Sequence, residues 1–190
     1  MNNQVEVALS NRHIHLTDEM FKFFFGDQEL TINRYLTSDK RFFALEETVT
    51  LSGPKGSISN VRILGPARKY NQVELLKADT FILGIKAPIR DSGNLEGAAD
   101  LTVSCNGKSI LIPQCGIVAL RHIHMVKEQM KELGVKENQF VSARIGGERG
   151  LTFDRVLIRR AQDVVSSMHI DIEEGNAANV KNGDVFEILV

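Results

Sequence analysis

Short stretches of alternating apolar and polar residues recur along most of this 190-residue chain. The first is VEVALS from Val5, and the later ones are TVTLSGPKG, NVRILGP, FILGIKAPIR, LTVSCNGKSILI, FVSARIGGERG, DRVLIR and DVFEILV. A period of two is typical of half-buried β-strands, and turn residues separate these stretches. Strands this short and evenly spaced favour small β-barrels or sandwiches over a parallel sheet, which would need more helices than the chain predicts.

Two segments instead show apolar spacings of three and four, which predict short helices. MFKFFF follows the capping sequence Thr17-Asp18-Glu19 and ends at Gly26, while MVKEQMKEL ends at Gly134. The predicted fold is therefore mainly β with short capping helices, arranged as two tandem β-barrel repeats.

The two helices mark the same place in two similar halves. Each follows a strand-like stretch and the tetrapeptide RHIH, in VEVALSNRHIH and GIVALRHIH. We assign residues 1–118 to the first barrel repeat and residues 119–190 to the second. The first strand, about residues 1–11, is free to pair with either half.

Composition narrows the classes of function. The formal net charge of −1 argues against a general nucleic-acid binder, and the longest apolar runs are far too short to cross a bilayer. The two cysteines, Cys105 and Cys115, have no close CxxC spacing, and no secretory leader precedes the first apolar stretch. We therefore expect a cytoplasmic protein that binds neither nucleic acid nor membrane.

Histidines are concentrated in the two RHIH segments, which hold four of the five in the chain. On a strand, residues i and i+2 share a face, so His13 and His15 point one way and Ile14 the other. Two imidazoles about 6 to 7 Å apart suit zinc or a similar borderline metal. A single HxH pair could equally be two hydrogen-bonded surface histidines, but a repeated pair at the start of repeated units favours a metal site.

Third ligands are found by comparing the halves. His169 lies on an apolar-alternating stretch, 47 positions after His122, and completes a set of three histidines with His124. Laying VRIL over VLIR places the corresponding position of the first half within a residue of Glu74. Three protein ligands at each site leave coordination positions open, as in catalytic rather than structural zinc sites.

Anion-binding elements surround the first predicted site. They are GPKGS from Gly53, Arg62, and GPARK with Arg68 and Lys69. Glycines let backbone N–H groups approach a phosphate, and arginine offers a planar pair of donors. Together with open metal sites, these elements suggest a phosphorylated substrate.

The same segments resemble a known family. SNRHIHLT, VRILGPARKYNQVEL, APIRDSG, the second RHIH and MHIDIEEGNAA are similar to the motifs of the PduL-type phosphotransacylases, also called phosphate propanoyltransferases. The resemblance extends over nearly the whole chain. It implies two barrels, a site with two zinc ions, and conversion of acyl-CoA plus phosphate into acyl phosphate plus CoA, in either direction. It also implies that the first strand belongs to the barrel of the C-terminal segment.

The resemblance assigns roles to individual residues. His13, His15 and Glu74 would hold one zinc ion, which also takes the CoA sulfur, and His122, His124 and His169 would hold the second. Arg68 matches the family's phosphate-binding arginine and is the predicted catalytic residue. Positions expected near CoA are Ser10, Lys55, Arg62 and Asn176.

Two departures from the family pattern have consequences. Family members inside bacterial microcompartments carry an amphipathic N-terminal extension, whereas only MNNQ precedes the first strand here, so we expect a free cytoplasmic enzyme. The late motif reads EEGNAA where DEANA is usual, which affects the loop near Asn176. The sequence leaves open a homo-oligomer and the choice between acetyl and propanoyl groups, which differ by one methylene.

Other classes of protein fit parts of the pattern. HIHLTDE and HIHMVKE match the HxHxxxE motif of cupin-like oxygenases or isomerases, with Glu19 and Glu128 as ligands, although both glutamates fall in predicted helices. An amidohydrolase barrel also begins with HxH but needs about 250 residues. A non-catalytic zinc-binding module would close each site with four protein ligands.

Overall fold

The computed structural model of the chain describes residues 2–37, 39–161 and 165–190. Fourteen strands and four helices lie within these ranges. In chain order they are β1 (Gln4–Ser10), β2 (His13–His15), α1 (Asp18–Phe25), β3 (Ile32–Tyr35), β4 (Phe43–Ser52), β5 (Ser57–Gly65), β6 (Gln72–Leu75), α2 (Lys77–Leu83), β7 (Ile89–Arg90), β8 (Ala99–Cys105), β9 (Lys108–Ala119), β10 (His122–Met125), α3 (Lys127–Leu133), β11 (Phe140–Ile145), β12 (Leu151–Arg160), β13 (Ser167–Asp171), α4 (Ile172–Ala178) and β14 (Val185–Leu189). No helix among the described residues is long and apolar enough to span a membrane.

The first compact unit combines the two ends of the chain, Met1–Asn11 and Leu120–Val190. Its strands form a closed barrel in the order β1-β13-β10-β12-β11-β14. Strand β1 runs parallel to β13 and antiparallel to β14, which closes the ring. The N-terminal strand is therefore built into the sheet of the C-terminal segment.

The second unit is the continuous segment Arg12–Ala119. Six of its strands also close on themselves, in the order β4-β5-β2-β6-β9-β8, because β8 pairs with both β9 and β4. Strand β3 extends the sheet beside β4, and β7 pairs with β9. The predicted class, mainly β with short helices and two barrels, is confirmed.

The two rings have the same arrangement around the HIH strand. Strand β2 runs parallel to β5 and antiparallel to β6, just as β10 runs parallel to β12 and antiparallel to β13. In each ring the strand that precedes HIH in the sequence belongs to the other unit: β1 leads to β2, and β9 leads to β10. The two repeats thus exchange one strand each along the chain.

Each barrel has its own apolar core, and the central isoleucine of each HIH strand lies in it. Ile14 and Ile123 are both fully buried. They belong to separate clusters, which include Leu51 and Ile63 around Ile14 and Phe186 around Ile123. Because neighbouring residues on a strand face opposite sides, core packing of these isoleucines turns both flanking histidines to the outer face of the barrel wall.

We predict that Ile14→Val lowers the free energy of unfolding by about 0.5 to 1.5 kcal/mol, because it removes one buried methylene from a close-packed core. The exposed Ile82, with 52% of its surface accessible, provides the control Ile82→Val, which should change stability by less than about 0.5 kcal/mol. Urea unfolding followed by circular dichroism measures both. Equal effects of the two substitutions would contradict the assignment of Ile14 to the core.

The two predicted helices are confirmed and two more are present. Helix α1 begins after Thr17, whose side chain accepts a hydrogen bond from the Met20 N–H, and α3 ends at Gly134 with φ 67°. The strand predicted over FILGIKAPIR is wrong at its start: Phe81–Leu83 belong to α2, and only Ile89–Arg90 are β. In α2 the Asp79 carboxylate accepts the Leu76 N–H, and this local bond starts a helix despite the β-favouring Phe and Ile.

Candidate active site

One group of potential metal ligands lies in the Arg12–Ala119 unit. It consists of His13, His15 and Glu74, whose potential ligand atoms all lie within 4.8 Å of one another. Antiparallel pairing of β2 with β6 places His13 directly opposite Glu74, and Nε2 of His13 lies 3.4 Å from Oε2 of Glu74. The alternation that buries Ile14 and the register of β6 together assemble this group.

The residues of this group fit a zinc ion. Zinc–nitrogen and zinc–oxygen bonds of about 2.0 to 2.2 Å in a tetrahedral site place neighbouring ligand atoms about 3.3 to 3.6 Å apart, which matches the His13–Glu74 separation. Nδ1 of His15 is buried and makes no hydrogen bond within the described residues. A buried imidazole nitrogen without a hydrogen bond suits metal coordination.

The protonation state of His15 also suits a metal ligand. Burial lowers the pKa of His15 well below its usual value, and the nearby His13 and Arg68 lower it further. The imidazole is therefore neutral at physiological pH, and the neutral form is the one that coordinates a metal.

A buried glutamine fixes the Glu74 carboxylate. The Gln72 side chain is fully buried, and its Nε2 donates to Oε1 of Glu74 and to Oγ of Ser92, both at 2.7 Å. Its Oε1 accepts the Gly93 N–H at 2.7 Å. Because a backbone N–H can only donate, this bond determines which end of the amide faces Glu74.

Arg68 extends the same network. Its Nη1 donates to Oγ of Ser92 at 3.2 Å, and its backbone N–H donates to the Leu16 carbonyl at 2.9 Å. Arg68 is half-buried, and its charge lies close enough to His15 to contribute to the lowered pKa of that histidine. The structure therefore places the predicted phosphate-binding arginine beside the first ligand group.

The second histidine group lies in the other unit, where β10 and β13 pair with His122 opposite His169. The ring centroids of His122, His124 and His169 are 4.8 to 5.1 Å apart. Nε2 of His122 lies 3.2 Å from Nε2 of His124, close to the separation of two nitrogen ligands on one zinc ion.

Hydrogen bonds orient two rings of this group. Nδ1 of His122 lies 2.9 Å from the Leu120 carbonyl and must carry the proton there, which leaves Nε2 with a free electron pair. Burial lowers the pKa of His122 to about 3, although the Leu120 carbonyl opposes the shift. Nε2 of His169 lies 2.9 Å from Oγ of Ser167. Ser167 precedes His169 by two residues, as Gln72 precedes Glu74, so both third ligands are held by a polar neighbour on the same strand face.

The four positions predicted to contact CoA divide between the units. Ser10 ends β1 and Asn176 is exposed on α4, while Lys55 lies in the β4–β5 turn and Arg62 on β5 opposite His13. Nη1 of Arg62 donates to the carbonyls of Leu45 and Glu46 at 2.8 and 2.7 Å. The other nitrogens of this guanidinium would have to supply any contact with CoA.

Neither cupin-type glutamate reaches a ligand group. Glu19 and Glu128 are exposed in the first turns of α1 and α3. This geometry does not favour the cupin-like alternative.

The cysteines are also poor candidates for the site. Cys115 is fully buried, and burial raises the pKa of its thiol to about 12; Cys105 is half-buried and its pKa is also raised by burial. A thiol with a pKa this high is a weak nucleophile at neutral pH.

Sequence reasoning missed Gln72 and Ser92. Gln72 could have been found because it shares a strand face with Glu74 at a spacing of two. Ser92 lies in the loop after β7, in the APIRDSG segment, and no periodic pattern links it to Arg68 or Gln72.

Comparison with known proteins identifies the family of the chain. The sequence model of the family described as phosphate propanoyltransferase matches residues 6–181. A phosphate propanoyltransferase of Rhodopseudomonas palustris (strain BisB18) is 45% identical over 185 residues, which are 97% of this chain and 82% of the relative. That of Thermotoga maritima is 43% identical, covering 96% of this chain and 88% of the relative, and that of Salmonella typhimurium is 41% identical, covering 98% and 89%. The chain therefore belongs to the phosphate propanoyltransferase family of acyltransferases.

Proposed function

We propose that this chain is a phosphate acyltransferase that interconverts a short-chain acyl-CoA plus phosphate with acyl phosphate plus CoA. The observation that carries the proposal is the group of two buried histidines, His13 and His15, with the half-buried Glu74 beside Arg68, in a chain of this family. Propanoyl-CoA and acetyl-CoA are the proposed substrates, because one methylene is worth only about 1 to 3 kcal/mol in an apolar pocket.

Two zinc ions per chain are the proposed cofactors. His13, His15 and Glu74 would hold one, and His122, His124 and His169 the other. When bound, zinc supplies a Lewis acid that stabilises sulfur leaving as thiolate. The lowered pKa values of His15 and His122 support this assignment, because both imidazoles are neutral and need not lose a proton to bind a metal.

Arg68 is the proposed phosphate-binding and catalytic residue. Its guanidinium offers paired N–H donors to phosphate oxygens, and Ser92 and Gln72 limit its movement. One phosphate oxygen then forms the bond to the thioester carbonyl carbon while the carbon–sulfur bond breaks and its electron pair leaves with sulfur. Positioning and charge stabilisation account for most of the rate in this scheme.

Direct transfer requires no covalent acyl-enzyme. The raised pKa of Cys115 agrees with this, because the buried thiol stays protonated. Incubation with radiolabelled acyl-CoA in the absence of phosphate should leave the chain unlabelled, and a labelled residue recovered by peptide mapping would contradict direct transfer.

The proposed contacts with CoA are Ser10, Lys55, Arg62 and Asn176. We also propose that the enzyme works in the cytoplasm, since both described cysteines are free thiols, as in reducing compartments.

The proposed activity is tested by release of free CoA thiol from acetyl-CoA and propanoyl-CoA. Phosphate should be required, chelation should abolish release, and zinc should restore it. Release without phosphate would identify a thioesterase instead. No release under any condition would contradict the proposal.

Gln72 provides a further test of the first metal site. Gln72→Met keeps the length of the side chain but removes its three hydrogen bonds, so we predict that zinc affinity at the first site falls by about tenfold to a hundredfold. Competition with a chromophoric chelator measures the affinity. The exposed Gln28 gives the control Gln28→Met, which should bind zinc as the wild type does. Unchanged affinity in Gln72→Met would mean that Glu74 needs no such support.

A further inference from the structure

The arginine of each RHIH segment has no role in the scheme above, yet both arginines form the same contact. Nε of Arg12 lies 2.8 Å from Oδ2 and 2.9 Å from Oδ1 of Asp79. Nε of Arg121 lies 2.7 Å from Oε1 of Glu174. In both units the arginine next to the first histidine pairs with a carboxylate.

The two carboxylates occupy equivalent positions. Asp79 comes five residues after Glu74, and Glu174 comes five residues after His169. Each is the third residue of the helix that follows the third-ligand strand, α2 or α4. Each also accepts the N–H of its helix N-cap residue, Leu76 at 2.9 Å or Asp171 at 3.3 Å.

This placement ties the two ligand-bearing strands together at one end. In both units the first histidine lies opposite the third ligand, His13 opposite Glu74 and His122 opposite His169. The arginine precedes that histidine, and the helix begins three residues after the third ligand, so the ion pair joins the strands just beyond the ligand pair. Strand β2 has only three residues, so its own ladder bonds hold it weakly.

Burial makes the contacts more effective than ordinary surface ion pairs. Asp79 is fully buried, and the side chains of Arg12, Arg121 and Glu174 are 29%, 31% and 19% exposed. Arg121 also lies over the Phe153 ring, 4.9 Å from its centroid, and donates to the Asp154 carbonyl at 3.3 Å. Charge-assisted bonds of this kind hold their partners in narrow geometries.

We propose that Arg12 with Asp79, and Arg121 with Glu174, are positioning pairs that set the spacing between the two histidines and the third ligand of their own metal site. This proposal rests on the proposed zinc sites. RHIH thus combines two ligands with the residue that aligns them to the third. Partners of metal ligands outside the coordination sphere typically change metal affinity by about tenfold to a hundredfold.

The test measures zinc release from the full zinc-loaded chain into a chromophoric chelator, together with thermal unfolding. Arg12→Met should speed release from one site by about tenfold or more, and Arg121→Met should do the same at the other. Asp79→Asn keeps an oxygen for the Leu76 N–H but loses the charge, so it should behave like Arg12→Met if the ion pair matters rather than the helix cap. Arg12→Lys is a milder change because it keeps the positive charge. Its rate of zinc release should lie between those of the wild type and Arg12→Met.

The control is Arg144→Met, which breaks the exposed Arg144–Glu187 pair of the same unit as Arg121. It should leave zinc release unchanged, which separates loss of any ion pair from loss of a positioning pair. The same experiment distinguishes the Arg12–Asp79 pair from the Arg121–Glu174 pair. A variant of each pair should speed a different phase of zinc release.

The outcomes distinguish this proposal from the proposed function. One outcome would overturn the positioning role alone. In it, the wild type binds zinc and shows phosphate-dependent activity, but folded Arg12→Lys, Arg12→Met and Arg121→Met release zinc at the wild-type rate. Unchanged zinc release with a raised KM for acyl-CoA would make Arg12 a substrate contact and also overturn it. A wild-type chain that binds no zinc would overturn both proposals.

Discussion

Replacing Glu74 by glutamine is expected to lower turnover by about a hundredfold or more and to weaken zinc binding at the first site. Glutamine has nearly the same shape as glutamate but no negative charge, so it is a poorer zinc ligand. Losing several kcal/mol of charge stabilisation lowers turnover by about a hundredfold or more. Glu74 lies 3.4 Å from His13 and accepts a bond from Gln72, so the substitution changes charge with little change in volume. Zinc content by mass spectrometry and the thiol-release rate are the measurements.

Glu19→Gln is the matched control. Glu19 is exposed on α1 and would be the metal ligand in a cupin-like site. We expect it to keep wild-type activity and zinc content. A loss in Glu19→Gln with full activity in Glu74→Gln would reverse the assignment of the ligand.

Replacing Arg68 by alanine is expected to lower kcat/KM for phosphate by about a hundredfold to a thousandfold, the usual effect of removing one preorganised donor from a developing charge. The effect should fall on phosphate, because Arg68 is assigned to phosphate and the metal ligands are unchanged. Arg68→Lys should recover only part of the loss, since an ammonium group cannot offer two parallel donors. Initial rates over a range of phosphate concentrations, at saturating acyl-CoA, measure the change.

The exposed Lys86 gives the control Lys86→Ala, which removes a positive charge from another part of the same unit. Its kinetics should stay close to those of the wild type. Wild-type rates in Arg68→Ala at low phosphate would remove Arg68 from the site. An equal loss in both variants would point to general electrostatic attraction of phosphate.

The strands and the grouping of the histidines were the most predictable parts of this molecule. Alternation determines which residues of a strand face the core, so Ile14 and Ile123 indicated in advance that their neighbouring histidines share the opposite face. Predicting Glu74 required comparison of the two repeats, because a lone glutamate on a half-buried strand carries no signal of its own. Alternation says nothing about which strand is the neighbour, so the partners of β1 and β9 could not be derived from it.

The contacts that support the site were less predictable. Ser92 meets Gln72 and Arg68, and Asp79 meets Arg12, through side chains of different elements, so local sequence does not predict these contacts. Helix α2 was missed for a related reason. Its start depends on the hydrogen bond that the Asp79 carboxylate accepts from the Leu76 N–H, whereas Phe81 and Ile82 favour strands.

The pairing of β1 has a consequence for how the protein is made. Strand β1 leaves the ribosome long before its partners β13 and β14, as in the pairing of Glu6 with Ser167. At about 5 to 20 residues per second, the nascent strand waits roughly 10 to 30 s with unpaired edges while the residues between Glu6 and Ser167 are synthesised. During that interval the VEVAL segment is an open template for other extended chains. Slow translation or crowding of nascent chains should therefore lower the yield of folded protein more than it would for a barrel whose strands pair in chain order.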